Sequence, residues 1–91
     1  MSMNKEEKYY LKTSEISLAA TLICYGFSLD HLDPTESNRL LFVFKRNGNG
    51  DLDILIQAFW ADTLTVSPKK YFYILKELKA RVFAERRIYS E

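Results

Sequence analysis

The chain has 91 residues, of which 47% are hydrophobic and 14% are aromatic, and its formal net charge is +1. This length predicts a single domain over residues 1–91, since a smaller unit would bury too little surface to fold alone, and the apolar content excludes a disordered chain. The charge is unevenly spread, because residues 1–68 carry six Lys and Arg against nine Asp and Glu, whereas residues 69–91 carry seven against three. The chain therefore ends in a basic segment, which bears on the choice of partners.

The first half of the chain predicts a strand, a helix and two further strands. Residues 1–7 are polar and are expected to be flexible. The helix follows a capping segment at Thr13–Glu15 and is apolar on two faces, which predicts that it is covered on both sides. The Asp33–Pro34 pair predicts a loop through Asn38, and the strand after this loop is apolar on both sides, as central strands are. The predicted segments are a strand at Tyr9–Lys12, a helix ending at about Tyr25 before Gly26, and strands at Phe27–Leu32 and Arg39–Arg46.

The second half of the chain predicts two helices. An Asn-Gly-Asn-Gly turn and a capping Asp51 precede the first of them, which runs from Leu52 to about Leu64. The second occupies the Ser67–Arg87 stretch, where Ser67 can cap the helix and Pro68 suits its first position. Apolar residues recur in this helix at three- and four-residue steps and form one stripe. The stripe consists of Tyr71, Ile74, Leu75, Leu78 and Val82.

Together these segments predict an α+β fold in the order β-α-β-β-α-α. The sheet is expected to have three strands and to be mainly antiparallel, because a six-residue polar connection joins the second strand to the third. The Arg39–Arg46 strand is expected in its middle. The rest of the domain then gives the apolar stripe of the last helix a place to bury.

A basic and aromatic face is predicted on the last helix, opposite its apolar stripe. At about 100° per residue, five side chains project to that side, and the end of the central strand could add two cations. Basic groups beside aromatic rings can hold a phosphate backbone while stacking on bases, or grip an acidic protein with the rings as anchors. A structural role, in which the rings cover Trp60 or the sheet edge, is a third interpretation. The candidate binding residues are Lys69, Tyr73, Lys76, Phe83, Arg87, Lys45 and Arg46.

The sequence contains no set of side chains typical of a catalytic or metal site. Oxygen-bearing side chains alternate over 47–53, but Leu52 and Ala58 stand where a calcium loop needs glycine and a bidentate glutamate. His31 and Cys24 are each single, so one chain provides neither a paired-histidine site nor a disulfide. We therefore predict that the protein is not an enzyme and uses no metal or cofactor. The absence of an apolar run of ~20 residues and of a signal-peptide core predicts a cytoplasmic protein.

Four motifs follow one another within residues 9–83. They are a Lys-Thr-Ser opening, an alanine-containing helix that ends in Gly-Phe, a Phe-x-Phe strand and a final Leu-Lys-x-Leu-Lys-x-Arg-Val helix. In this combination the chain resembles an uncharacterised family of small bacterial and phage domains of unknown function. The resemblance implies one small domain from a bacterium or mobile element, and it supplies no activity and no site residues. A phage-like setting suits an accessory binder, including an inhibitor of a host defence system.

Two functions stay open on this sequence. The first is a non-catalytic interaction module that binds another protein or a second copy of itself as a homodimer. It is favoured because the chain has more aromatic and aliphatic residues than one small core easily hides. The second is a nucleic-acid-binding module that uses the basic aromatic face of the last helix. Neither function involves a membrane or a small-molecule cofactor.

Overall fold

The computed structural model describes residues 9–36, 39–46 and 50–89, and the side chains of 9–34, 40–46 and 50–86. The segment 1–7, expected to be flexible, and most of the turn at 47–50 therefore lie outside the described residues. Within the described part, three strands and three helices follow one another in the predicted order β-α-β-β-α-α, which confirms the α+β fold. The elements are β1 (Tyr10–Thr13), α1 (Ile16–Cys24), β2 (Leu29–Glu36), β3 (Arg39–Lys45), α2 (Asp51–Trp60) and α3 (Pro68–Tyr89).

The strands form one sheet in the spatial order β1-β3-β2, and both outer strands are antiparallel to β3. The predicted central position of β3 is therefore confirmed. β2 differs from the prediction, since it continues through Asp33 and Pro34, where the sequence predicts a loop. A sheet tolerates proline on an edge strand because the missing N–H need not join a ladder there. The register also shifts between Asp33 and Glu36, so the pairing is locally irregular at the proline.

The hydrophobic core lies on one face of the sheet, beneath the helices. Alternate residues of β3 belong to it, together with most of the consecutive buried run 18–22 of α1. Five consecutive residues reach around the whole circumference of a helix, so α1 is enclosed, and both α2 and α3 contact it. The predicted coverage of this helix is thus confirmed. The buried core consists of Leu18, Ala19, Ala20, Leu22, Leu32, Leu40, Phe42, Phe44, Leu52 and Leu78.

Val43 is fully buried on the other face of the sheet. Its register partners are Lys12 on β1 and His31 on β2. The Lys12 ammonium reaches across β3 to the Asp33 carboxylate, with 3.0 Å between Nζ and Oδ2 and only 12% of the Asp33 side chain exposed. This ion pair joins the two edge strands over the central one.

Gly26 ends α1 as the sequence predicts. Its φ is +100°, a left-handed conformation that glycine adopts without a steric penalty. The Gly26 N–H donates to the Ile23 carbonyl and the Phe27 N–H donates to the Leu22 carbonyl, both at 3.0 Å. These two bonds form a Schellman motif, which satisfies carbonyls that the helix end would leave unpaired.

α2 ends at Trp60, about four residues before the predicted end at Leu64. Asp62 has a φ of +60°, and its N–H donates at 3.0 Å to the carbonyl three residues earlier. The Thr63 N–H donates at 3.1 Å to the carbonyl five residues earlier. This is again the Schellman pattern, with aspartate in the position that glycine usually takes. Because no glycine marks the end, the prediction placed it too late.

The start of α2 also differs from the prediction, which assigned the cap to Asp51. Gly50 occupies the N-cap position with a φ of +81°, and no side chain donates or accepts a capping hydrogen bond there. Asp51 and Asp53 lie instead in the first turn. Carboxylates in that turn stabilise the helix through its dipole, so the acidic start is favourable without a cap.

The two left-handed turns predict opposite effects on stability. Gly26→Ala is expected to lower the free energy of unfolding by about 1–2 kcal/mol, the usual cost of a left-handed conformation for a residue with a Cβ. Backbone strain alone would cause this loss, because nothing lies within 4 Å of the added Cβ. Asp62→Gly is expected to raise the free energy of unfolding by about 0.5–1 kcal/mol, since glycine removes the same strain. Urea denaturation measures both, and a stabilising Gly26→Ala would contradict the assignment.

α3 begins at the predicted cap and is fastened to the end of α1. The Ser67 hydroxyl accepts a hydrogen bond from the Lys70 N–H at 3.4 Å. The Lys70 ammonium donates to the Cys24 carbonyl at 3.4 Å, and the Tyr25 hydroxyl donates to the Thr65 carbonyl at 2.6 Å. The predicted apolar stripe packs against the core through Leu78, which is buried, and through Tyr71, Ile74, Leu75 and Val82, which are partly buried.

Candidate interaction surface

The side of α3 that faces away from the core carries exposed aromatic rings. Tyr73 is 67% exposed, Phe83 is 66% exposed and Phe72 is 59% exposed. Lys69 and Lys76 on the same side are also exposed. We call these five residues the basic aromatic face. Arg87, the remaining α3 candidate, belongs to the helix, but its side chain lies outside the described part of the chain.

Phe72 is the member of this face that the sequence analysis missed. Its ring lies 5.5 Å from the Lys76 ammonium, measured to the ring centroid, which is within the range of a cation–π contact. The two residues are four positions apart and therefore lie one above the other on the helix. A helical projection could have found Phe72, since it falls about 100° from Tyr71 and outside the apolar stripe.

Lys45 and Arg46, at the end of β3, have different surroundings. Lys45 is exposed opposite Tyr10 of β1. The Arg46 guanidinium pairs with the Asp53 carboxylate in the first turn of α2, and its side chain is only 19% exposed. Arg46 thus connects the end of the central strand to α2, and its charge is partly neutralised there.

A second group of exposed apolar residues lies around α2. Ile54 is 66% exposed and Trp60 is 64% exposed. They project about 120° apart on the helix, so they do not form one continuous patch. The Trp60 ring meets the Phe59 ring edge-on with centroids 4.9 Å apart. Since Trp60, Tyr73 and Phe83 are all exposed, the structure does not support the interpretation in which the α3 rings cover Trp60.

A shallow cleft of about 370 Å³ opens between the end of α1 and the start of α2. Its lining is mostly apolar, with one carboxylate. It lacks the converging polar groups that orient a substrate. The lining residues are Tyr25, Phe27, Asp51, Ile54 and Leu55.

Two titratable groups near the α1–α3 contact are perturbed, both toward the neutral form. Burial raises the pKa of the Cys24 thiol, and the nearby Lys70 ammonium partly offsets the rise. Burial also raises the pKa of the Tyr71 hydroxyl, with further contributions from the charges of Cys24 and Glu15. A nucleophilic cysteine needs the opposite shift. Neither group therefore has the character of an activated nucleophile.

His31 lies in β2, and its Nδ1 is 2.6 Å from the Asp30 carboxylate. The imidazole is 52% exposed. In the described ranges, no group of three or more His, Cys, Asp or Glu side chains is placed to hold a metal ion. Among the helices of the same ranges, none combines the length and the apolar character that crossing a membrane requires.

Comparison with known proteins places residues 7–84 under a family model whose description is "Domain of unknown function (DUF5659)". The match covers most of the chain and includes the described exposed rings of α3. Neither the search of curated proteins nor the search of solved structures finds a match.

Proposed function

We propose that this chain, which belongs to the DUF5659 family of domains of unknown function, is a non-catalytic module that binds another protein through α3. The observation that carries the proposal is the exposure of three rings on one side of this helix, at 59–67% each. A fully covered ring buries about 150–250 Å², so the three rings leave roughly 300–400 Å² of aromatic surface open. Apolar patches of that size on a small protein often mark a binding site.

The spacing of the rings suits an extended contact. Phe72 and Tyr73 lie near the start of α3, and Phe83 lies about 16 Å farther along the helix axis. Lys76 stands between them. Aromatic side chains are the commonest anchors of protein interfaces, and flanking cations select the partner more than they add affinity.

The partner that fits this surface has an apolar groove with carboxylates along its rim. Lys69 and Lys76 would face those carboxylates, while the rings of Phe72 and Phe83 would enter the groove. The family resemblance suggests a setting in the cytoplasm of a bacterium, with the chain as an accessory or inhibitor protein of a phage or mobile element.

Photo-crosslinking in the source host tests the proposal. Benzoylphenylalanine in place of Phe83 is expected to give one discrete protein adduct, whereas the same probe at exposed Gln57 on α2 gives none. Adding Lys76→Glu to the Phe83 probe is expected to remove the adduct, because the contact depends on charge. The proposal fails if position 83 captures no protein, or if it captures the same proteins as position 57.

A second function, nucleic-acid binding, draws on the Phe72–Lys76 cation–π pair. Rings next to cations can stack on bases while the cations contact phosphates. The protein partner is preferred because Glu77 and Glu85 on α3 would repel a phosphate backbone, and because Arg46 is already paired with Asp53.

A salt series separates the two functions. Nucleic-acid binding predicts that a single-stranded oligonucleotide is retained at about 50 mM salt, is released by about 200 mM, and is not bound by a Lys76→Glu, Arg87→Glu variant. We expect no retention at either salt concentration. Retention that the double variant abolishes would favour nucleic-acid binding over the protein partner.

A further inference from the structure

A groove of about 390 Å³ runs between α1 and α3, on a flank of α3 beside the basic aromatic face. Ile23 of α1 and Ile74 and Leu78 of α3 form its apolar lining. Glu77 and Arg81 stand on its rim, and both are exposed. The groove therefore combines an apolar floor with one charge of each sign.

Glu77 and Arg81 are one helical turn apart. In the ranges that the structure describes, neither side chain takes part in an ion pair within 4 Å. Both charges are therefore available to a partner. An opposite pair at this spacing is also what a two-fold contact between identical helices requires, since each residue must face its complement after a half turn.

We propose that a second copy of this chain occupies the α1–α3 groove, with the two α3 helices antiparallel about a two-fold axis near residue 79. In that arrangement Glu77 faces Arg81 of the other copy, and Arg81 faces its Glu77, which forms two reciprocal ion pairs. Ile74 then lies opposite Ala84, a large residue against a small one. The occupant is thus set by the self-complementarity of the flank.

The length of α3 supports the same axis. The helix spans Pro68–Tyr89, so its midpoint falls between residues 78 and 79. An antiparallel copy centred there overlaps along the full helix, about 33 Å at 1.5 Å per residue. A displaced axis would separate the charges and shorten the contact.

The contact is expected to be weak. One helix width over about 33 Å buries less than the ≈ 800 Å² per partner of a stable complex. We therefore expect a dimer with a micromolar dissociation constant that forms on concentration. The contact uses a flank of α3 distinct from the basic aromatic face, so it stands or falls independently of the protein-binding proposal.

Sedimentation equilibrium between about 2 and 500 µM tests the dimer in the full chain. Arg81→Glu and Glu77→Arg are each expected to weaken dimerisation at least tenfold, because each variant sets two pairs of like charges face to face. The double variant Glu77→Arg, Arg81→Glu restores the complement and is expected to return within about threefold of the wild type. Lys76→Glu, on the opposite flank, serves as the control and should leave the dissociation constant unchanged.

Three outcomes would overturn the proposal. They are a wild-type chain that stays monomeric at 500 µM, single reversals that leave dimerisation intact, and a double variant that stays as weak as the single ones. Circular dichroism of each variant keeps the result interpretable, since the substituted side chains are exposed and folding should be retained.

Discussion

Replacing Phe44 with alanine is expected to lower the free energy of unfolding by about 3–5 kcal/mol. Phe44 is fully buried in the central strand. Its register partners are Leu11 on β1 and Leu29 on β2, and both pack against the core. Because neighbours on both sides are held by the ladder, the cavity cannot collapse, and the loss falls at the upper end of the range for such substitutions. Urea denaturation followed by far-UV circular dichroism measures it.

Phe83→Ala is the matched control for Phe44→Ala. The same atoms are removed, but Phe83 is 66% exposed. Surface substitutions of this kind change stability by about 0.5 kcal/mol or less. Equal losses for the two variants would mean that Phe83 is structural, and that the basic aromatic face is part of the core.

Removing the three rings together is expected to reduce the affinity for the captured protein at least 100-fold. Interface anchors typically cost 2 kcal/mol or more each when truncated to alanine, although their effects do not add fully. The variant Phe72→Ala, Tyr73→Ala, Phe83→Ala should keep its free energy of unfolding within about 1 kcal/mol of the wild type, since all three rings are exposed. Calorimetric titration of the purified pair measures the affinity.

Trp60→Ala separates a specific surface from general stickiness. Trp60 is 64% exposed, as much as the α3 rings, but it lies on α2. Its removal should leave the affinity unchanged within about twofold. A loss comparable to that of the triple variant would move the binding surface from α3 to α2.

The parts of the fold that follow from hydrophobic period alone are well predicted by the sequence. The stripe through Leu78 defines the buried side of α3, and the run of apolar residues in β3 places this strand in the middle of the sheet. Gly26 marks the end of α1 because glycine is the residue that most easily takes a left-handed backbone.

The errors arise where local residue preferences are overridden by their context. Pro34 predicts a loop, but on an edge strand the sheet continues through it. Asp62 ends α2 in a conformation that usually calls for glycine, so nothing in the sequence marks the position. Tertiary surroundings decide both cases, and these are not encoded in the neighbouring residues.

The candidate surface is predicted only in part. Helical projection places Tyr73 and Phe83 away from the apolar stripe, but exposure also depends on whether another element covers them. The same limit applies to Trp60 on α2, which the sequence cannot distinguish from a buried ring. Arg46 illustrates the reverse case, since its pairing with Asp53 depends on how β3 and α2 meet in space.

Hydroxyl-radical footprinting of the chain, free and bound to the captured protein, tests the central claim most directly. The rings of α3 and Trp60 of α2 have similar exposure in the free chain, so each is an internal reference for the other. We predict that binding protects Phe72, Tyr73 and Phe83 from oxidation and leaves Trp60 as reactive as before. Protection of Trp60 with unchanged oxidation of the three α3 rings would contradict the account.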